Sequence, residues 1–393
     1  MLETSYFKKT IISLLSIACF SGMSYPVMGS EREEPYIRVL IANQEKVRIR
    51  SDNQNLLTVK SDNSPVLRTK GITILRRYNT FLLKTDENDF DWLILKDNHF
   101  VIIKTRDKRG IWFNKRRYKG VVNLIPKRNN INVINVIKIE SYLSSVVGSE
   151  MPHTWPLEAL KAQAVASRTY ALKQKSKGFY DINATINNQV YLGIESITPR
   201  TLMATNETRS LVLVYKNKLI SSPFHSSSGG MTESSKEVWN NYFPYLESVK
   251  DFDHLNPKFN WEKEINIKEL ARYFPELGEI KQIKIIKISK SGRISLVEII
   301  GTNDKIILSG NKIRELFKLR STLVRFNFRK DQLNSSSKQS DFIIIKGLGA
   351  GHGVGLSQWG ANGMARKGYN YRQILKHFYK GVSIKTFKNS YKY

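Results

Sequence analysis

Apolar and polar positions divide the chain into stretches of different period. Over residues 36–135, short β-branched runs such as Ile37-Arg38-Val39-Leu40-Ile41 and Phe100-Val101-Ile102-Ile103 alternate with Asn, Asp and Gly. That is the pattern of strands joined by tight turns. Ile131 to Ile139 is one more strand-like run. The period then changes. Leu157, Leu160, Ala164 and Ala171 keep helical spacing, and Ala159, Ala162 and Ala166 permit close packing. The start of this helix is predicted with Trp155 at the N-cap, Pro156 at the first helical position and Glu158 in the first turn, where an acid suits the helix dipole. It runs to about Lys177, with Gly178 as a stop.

Residues 205–222 read as a hairpin or paired strands. Residues 262–335 look separate, with a short helix near Ile267–Phe274, strands at Ile280–Ile288, Arg293–Ile300 and Ile306–Leu308, and a helix at Gly310–Phe317. Residues 331–340 are polar and turn-rich and read as a loop or hairpin tip. A strand at Phe342–Lys346 feeds a glycine cluster, and helices follow at about 357–367 and 371–379. The pattern predicts an α+β protein. A β-rich region over 30–130 precedes a mixed domain over 131–385, interrupted by a smaller α/β insert at about 262–340. The length of 393 residues suits two or three packed units.

Composition adds a core and an address. Hydrophobic residues make up 41%, enough to bury a sizeable interior. Lys8 and Lys9 precede the apolar run Ile11 to Phe20, and Val27 and Gly29 stand at the spacing a signal peptidase reads. Residues 1–29 thus have the pattern of a secretory signal, with an apolar core short for a membrane span. The expectation is export to the periplasm or cell envelope. A tether through an uncleaved signal or a lipidated Cys19 is the variant, although Ser16 stands where a lipid-attachment motif usually has Leu. Cys19 is the only cysteine, so after cleavage no thiolate remains for a disulfide or a metal. The formal net charge of +29 favours polyanions. With export, these are anionic envelope polymers and lipids rather than nucleic acid, and a solvated basic surface explains the spread of Lys equally well.

Three segments carry candidate chemistry. Gly347, Gly349, Gly351, Gly353 and Gly355 alternate around His352. If extended, they leave one face bare for close approach of a ligand or another backbone. They match no nucleotide fingerprint. Ser357 and Gln358 follow, placed to cap and line the next helix. The second segment is Phe224-His225-Ser226-Ser227-Ser228-Gly229-Gly230-Met231-Thr232-Glu233, whose hydroxyls and imidazole suit carbohydrate binding or a hydrogen-bonded turn. The third is Glu150, ahead of Met151, Pro152 and Trp155. Burial by these neighbours would raise its pKa, as a general acid needs. Spacing and composition alone give Glu150 no rank above other acids.

Taken together, these segments resemble the stage II sporulation protein D family, also called the SpoIID/LytB domain family. The resemblance is carried by Val136 to Pro152 with Trp155 to Tyr170, by Phe224 to Gly230 with Thr232-Glu233, Val238-Trp239 and Pro244-Tyr245-Leu246, and by Gly351 to Ala361. It covers roughly 131–385, which then reads as a SpoIID-like catalytic domain. It implies a lytic transglycosylase with Glu150 as catalytic acid, cleaving the β-1,4 bond from N-acetylmuramic acid to N-acetylglucosamine in peptidoglycan glycan strands. The muramic C6 hydroxyl would close an anhydro ring, so a second carboxylate is not obligatory. Glu140, Glu158, Glu233 and Asp251 remain as candidate helpers. His225, Ser226, Ser227, Ser228, Thr232, Gly351, His352, Gly353, Ser357 and Gln358 are the implied substrate-binding set. Some relatives hold zinc with His and Cys near the second motif. Here serines flank His225 and no Cys follows the signal, so neither metal nor cofactor is expected. Other relatives are described as enhancers of a cell-wall amidase, which makes an amidase the alternative partner.

Overall fold

The computed structural model describes residues 34–52, 56–61, 66–78, 80–87, 93–96, 100–329 and 342–391. The signal-like segment 1–29 and the loop predicted at 331–340 lie outside these residues. Residues Pro35–Tyr393 group as one unit. The fold is α+β.

Two sheets form the N-terminal part, antiparallel throughout except where Ile182–Asn183 joins Tyr36–Gln44 in parallel. One orders its strands as Ile182–Asn183, Tyr36–Gln44, Asn130–Lys138, Val121–Lys127, Val101–Thr105, Leu57–Ser61 and Leu67–Thr69. The other runs Arg116–Tyr118, Ile111–Phe113, Lys46–Arg50, Gly71–Arg77, Thr80–Thr85 and Leu93–Lys96. Period-two burial follows from the pleat: Ile37 and Val39, Val47 and Ile49, Ile72 and Ile74, and Val101 and Ile103 all enter one core. The run beginning at Ile131, assigned from sequence to the second domain, is a strand of the first sheet, paired with Tyr36–Gln44 on one side and Val121–Lys127 on the other. Its apolar residues complete the sandwich, so the β layer extends to Lys138.

The chain turns directly from that strand into helix α1 (Ile139–Glu150). This helix is buried on nearly every side because it serves two cores. Tyr142, Leu143 and Val146 pack into the sandwich, while Val147 packs into a second core. Helix α2 (Leu157–Lys173) follows, flanked by Pro156 rather than Trp155 at its start. It ends before Lys177, because Asp181 accepts from Arg38 and from the Ser176 backbone N–H and draws the chain back to the sandwich. The alanines of α2 let α3 (Pro199–Glu207), and later helices, approach closely. A hairpin of Leu211–Tyr215 and Lys218–Leu219 lies next to it, joined by Ser383–Thr386.

After α4 (Ser235–Trp239) the insert begins with strand Asn260–Asn266 and α5 (Ile267–Ala271). Its sheet of Ile280–Ile288, Ile294–Gly301 and Lys305–Ser309 packs with α6 (Gly310–Leu316) around Val297, Ile299 and Ile313. Strand Phe342–Leu348 pairs with Asn260–Asn266 and Val324–Arg329, and Ile343 and Ile345 enter the insert's core. The strand read as leading into the glycines is thus part of the insert. Helices α7 (Gln358–Arg366) and α8 (Tyr371–Phe378) then return to α2.

One ion pair binds α1, α2 and the hairpin. The Arg168 guanidinium donates to both Glu140 oxygens at 2.9 and 2.5 Å and to Leu211 O at 3.1 Å, and Ser210 N donates to Glu140 at 3.0 Å. Both side chains are buried. Removing one member strands a charge, whereas replacing both with apolar residues removes the cost of desolvation. Arg168→Ala should lower unfolding free energy by about 3–5 kcal/mol. Arg168→Met with Glu140→Leu should recover most of that loss, measured by urea unfolding of both proteins.

Candidate active site

Burial pushes the Glu150 carboxyl above its ordinary value of 4.5. Its place as the last residue of α1 works in the same direction, because the carbonyl end of a helix disfavours negative charge. Two hydrogen bonds oppose this. Val190 N donates to Oε1 at 2.8 Å and Gln358 Nε2 to Oε2 at 3.1 Å. Both favour the anion, yet burial dominates. Met151 and Trp155 are buried as the sequence suggests, whereas Pro152 is exposed and does not shield the site.

The Val190 donor is held in place by its neighbours. Tyr142 donates to Gln189 at 2.9 Å, Tyr191 to Asn135 at 2.7 Å, and Asn188 to the Tyr170 hydroxyl at 2.9 Å. These bonds pin residues 188–191 to α1, the sandwich and α2. Nothing in the local sequence pattern singles out this segment, since its importance comes from a backbone N–H.

The second wall joins the serine and glycine segments. Phe224–His225 pairs in parallel with Leu356–Ser357, and Ser227 and Ala350 exchange backbone hydrogen bonds at 3.0 and 2.7 Å. The glycines do not form an extended strip with a bare face. Gly349, Gly351, Gly353 and Gly355 all have positive φ, so the chain coils. Space without side chains is used for internal packing. A Cβ on Gly351 would lie 2.7 Å from the His225 Cβ, and one on Gly353 would lie 2.7 Å from the Arg293 guanidinium.

His352 Nδ1 accepts from Val354 N at 3.0 Å, so Nε2 carries the proton and donates to Phe224 O at 3.0 Å. His225 Nδ1 faces Val354 O at 3.2 Å and donates to it. The other His225 nitrogen, Nε2, is buried without a hydrogen-bond partner. Burial holds His225 well below 6.5 and His352 down at about 4, so both rings are neutral near pH 7. Their centroids are 5.4 Å apart, and the Trp239 ring lies 5.3 Å from His352.

Glu150, His225, Ser226, Gly351, His352 and Gln358 line one cavity of about 700 Å³. Tyr170, Asn188, Val190, Trp239 and Arg314 complete much of its wall. Five other residues of the sequence-derived binding set stand behind it. Ser227 donates to Asp253 at 2.6 Å, Ser228 donates to Asp251, and Thr232 accepts from Val249 N at 2.8 Å. Gly353 seats Arg293, and Ser357 caps α7 by accepting from Gly360 N at 3.1 Å. Buried hydroxyls committed to such bonds support the wall instead of reaching a ligand. The helper acids also lie outside the cavity lining. Glu140 is in the Arg168 pair, Glu158 accepts from Lys161 and Tyr371 N, and Glu233 accepts from Ser289 and Ser291. Asp251 sits under the serine turn.

Behind the wall, the insert supplies Arg293, which donates to Ser228 O. Three carboxylates, Glu233, Asp253 and Asp251, act on this one buried guanidinium. With negative charge in excess, burial and the neighbouring Asp253 push Asp251 up to about 7. Among the described residues no group of three His, Cys, Asp or Glu is placed to hold a metal.

Comparison with known proteins matches two segments of the chain. Residues 127–215 match the family described as Stage II sporulation protein, and residues 231–355 match a domain of unknown function. Stage II sporulation protein D of Bacillus subtilis is 32% identical over 283 residues, covering 65% of this chain and 77% of the relative. The chain belongs to the stage II sporulation protein D family. An uncharacterized protein of Brachyspira hyodysenteriae is 36% identical over 293 residues, covering 72% of this chain and 76% of that protein. The amidase enhancer of Bacillus subtilis is 29% identical over 292 residues, covering 62% of this chain and 40% of the enhancer. In this family member the first match contains Glu150 but ends before His225. Trp239, Arg314 and His352 fall in the second match, so the cavity is built across both.

The raised Asp251 gives a pH test. Its folded value near 7 lies above the ordinary 3.8, so the folded form keeps a proton that the unfolded chain releases. This stabilisation is complete below about 3.8 and is lost as pH rises through about 7. Asp251→Asn should therefore flatten the decline in stability between pH 5 and pH 8, read by denaturant unfolding at the two pH values.

Proposed function

We propose that this protein is an exported lytic transglycosylase of the cell envelope, acting on peptidoglycan glycan strands with Glu150 as acid and then base. The observation that carries this reading is Glu150 itself, a half-buried carboxyl with a raised pKa on the wall of a cavity whose described lining residues include no second carboxylate. Glycoside hydrolysis ordinarily needs two carboxyl groups, one for the leaving group and one for water or covalent attack. Intramolecular attack needs only one.

Protonated Glu150 gives its proton to the glycosidic oxygen as the bond from muramic C1 to that oxygen breaks. The resulting carboxylate accepts hydrogen bonds from Val190 N and Gln358 Nε2, which suit the anion. It then takes the C6 hydroxyl proton as O6 bonds to C1, which closes the 1,6-anhydro ring and restores the acid. Trp239, 44% exposed beside His352, offers a face for a sugar ring. The neutral imidazoles offer no competing proton near pH 7. The strongly basic chain suits work beside anionic envelope polymers.

The similarity to an amidase enhancer supports a second reading, in which the cavity binds glycan and promotes a cell-wall amidase without cleaving the strand. Product analysis separates the two. Purified mature protein incubated with intact and peptide-stripped peptidoglycan should yield anhydro-muramic ends by mass spectrometry. Glu150→Gln should lower their rate by about 10²–10⁴-fold. Absence of anhydro ends from both substrates would leave the enhancer reading standing.

The raised Glu150 pKa also fixes the sign of the pH profile. Cleavage should fall as pH rises through that value, because the acid is lost. Gln358→Leu removes a bond that lowers the pKa. Its falling limb should move to higher pH, measured as single-turnover rates across a pH series.

A further inference from the structure

Arg314 enters the cavity from α6 of the insert. Among the described lining residues it is the one permanent cation. Its Nε is buried with no hydrogen-bond partner, and none of the described residues forms an ion pair or side-chain hydrogen bond with its guanidinium. The adjacent Glu315 is exposed and attracts it without pairing. The buried Nε of this half-buried side chain forgoes water contact without gaining a protein partner. Buried Arg normally serves a carboxylate or phosphate, for which its planar donor fork is shaped.

The electrostatic neighbours of Arg314 place it at the histidine side. It acts on His225 and His352, whereas the shift of Glu150 arises from burial opposed by Val190 and Gln358. The acid and the guanidinium thus share a cavity without pairing with each other. The two jobs are compatible, since a direct ion pair would hold Glu150 ionised and would consume the donors of Arg314. Neither imidazole supplies positive charge in its place.

We propose that Arg314 is a substrate-binding residue that recognises a carboxylate carried by the glycan strand. This rests on the glycan reading of the cavity and deepens it. Two sources have the same chemistry. One is the lactyl carboxylate of a muramic residue, free where the stem peptide is absent and an amide where it is present. The other is a carboxylate of the stem peptide. N-Acetylglucosamine oligomers have neither and serve as the uncharged reference.

The test is binding to the full mature chain carrying Glu150→Gln, so that no ligand is turned over. Calorimetry compares a peptide-free tetrasaccharide of alternating N-acetylglucosamine and N-acetylmuramic acid, the same glycan with stem peptides, and chitotetraose. An acidic ligand should bind about tenfold or more tightly than chitotetraose. Arg314→Gln should erase that preference while leaving chitotetraose affinity unchanged. Arg314→Lys, which keeps the charge, should retain part of it. Preference for the peptide-free glycan assigns the lactyl carboxylate, and preference for the peptide-bearing glycan assigns the peptide. An acidic preference that survives Arg314→Gln, an equal loss for all three ligands, or no acidic preference at all overturns the proposal. If the wild type makes no anhydro ends but Arg314 still governs the preference, cleavage fails as a function and carboxylate recognition stands.

Discussion

A carboxyl at the end of a helix, half-buried and with no ion-pair partner among the described residues, is costly to ionise. The parts around Glu150 answer that constraint. Helix α1 is locked between the sandwich and the second core by residues such as Tyr142 and Val147. The Arg168–Glu140 pair fixes its start against α2 and the hairpin. The segment carrying Val190 is secured on three sides, which sets one donor opposite the carboxyl. Gln358, at the start of α7, sets the other. These two donors favour the anion and oppose the rise in pKa that burial produces.

The same logic extends to the opposite wall. Two loops approach backbone to backbone, and positive-φ glycines let His225 and Arg293 pack where side chains would collide. The Arg293 guanidinium and its three carboxylates form a compact charged support beneath the serines. This support comes partly from the insert, as does Arg314. The insert therefore combines its own apolar core with two cations that belong to the site of the surrounding domain.

Much of this was readable in the chain because period and turn chemistry are local. The strands of residues 36–135 and the insert strands at Ile280–Ile288 and Ile294–Gly301 follow apolar patterning. Sheet membership is not local, and this is why the strand Asn130–Lys138 changed sides of the expected boundary. Glu150, His225 and His352 could be named through motif resemblance, and they line the same cavity. Arg314 and Arg293 could not, because an arginine among many is distinguished only by what surrounds it. The five binding-set residues behind the wall show the complementary limit. A motif marks Ser227 or Ser228 without saying whether its hydroxyl faces a ligand or an aspartate.

The hydrogen bond from Gln358 to Glu150 spans 208 positions of sequence. Contacts of such separation form only after a long loop has closed, and closure carries an entropic cost that must precede any reward. In a chain made or translocated from its N-terminus, α1 is present long before α7. Until α7 docks, the hydrogen bond from Gln358 to Glu150 cannot form. The wall of the cavity is therefore complete only when residues far apart in sequence, Glu150 and Gln358 among them, have met.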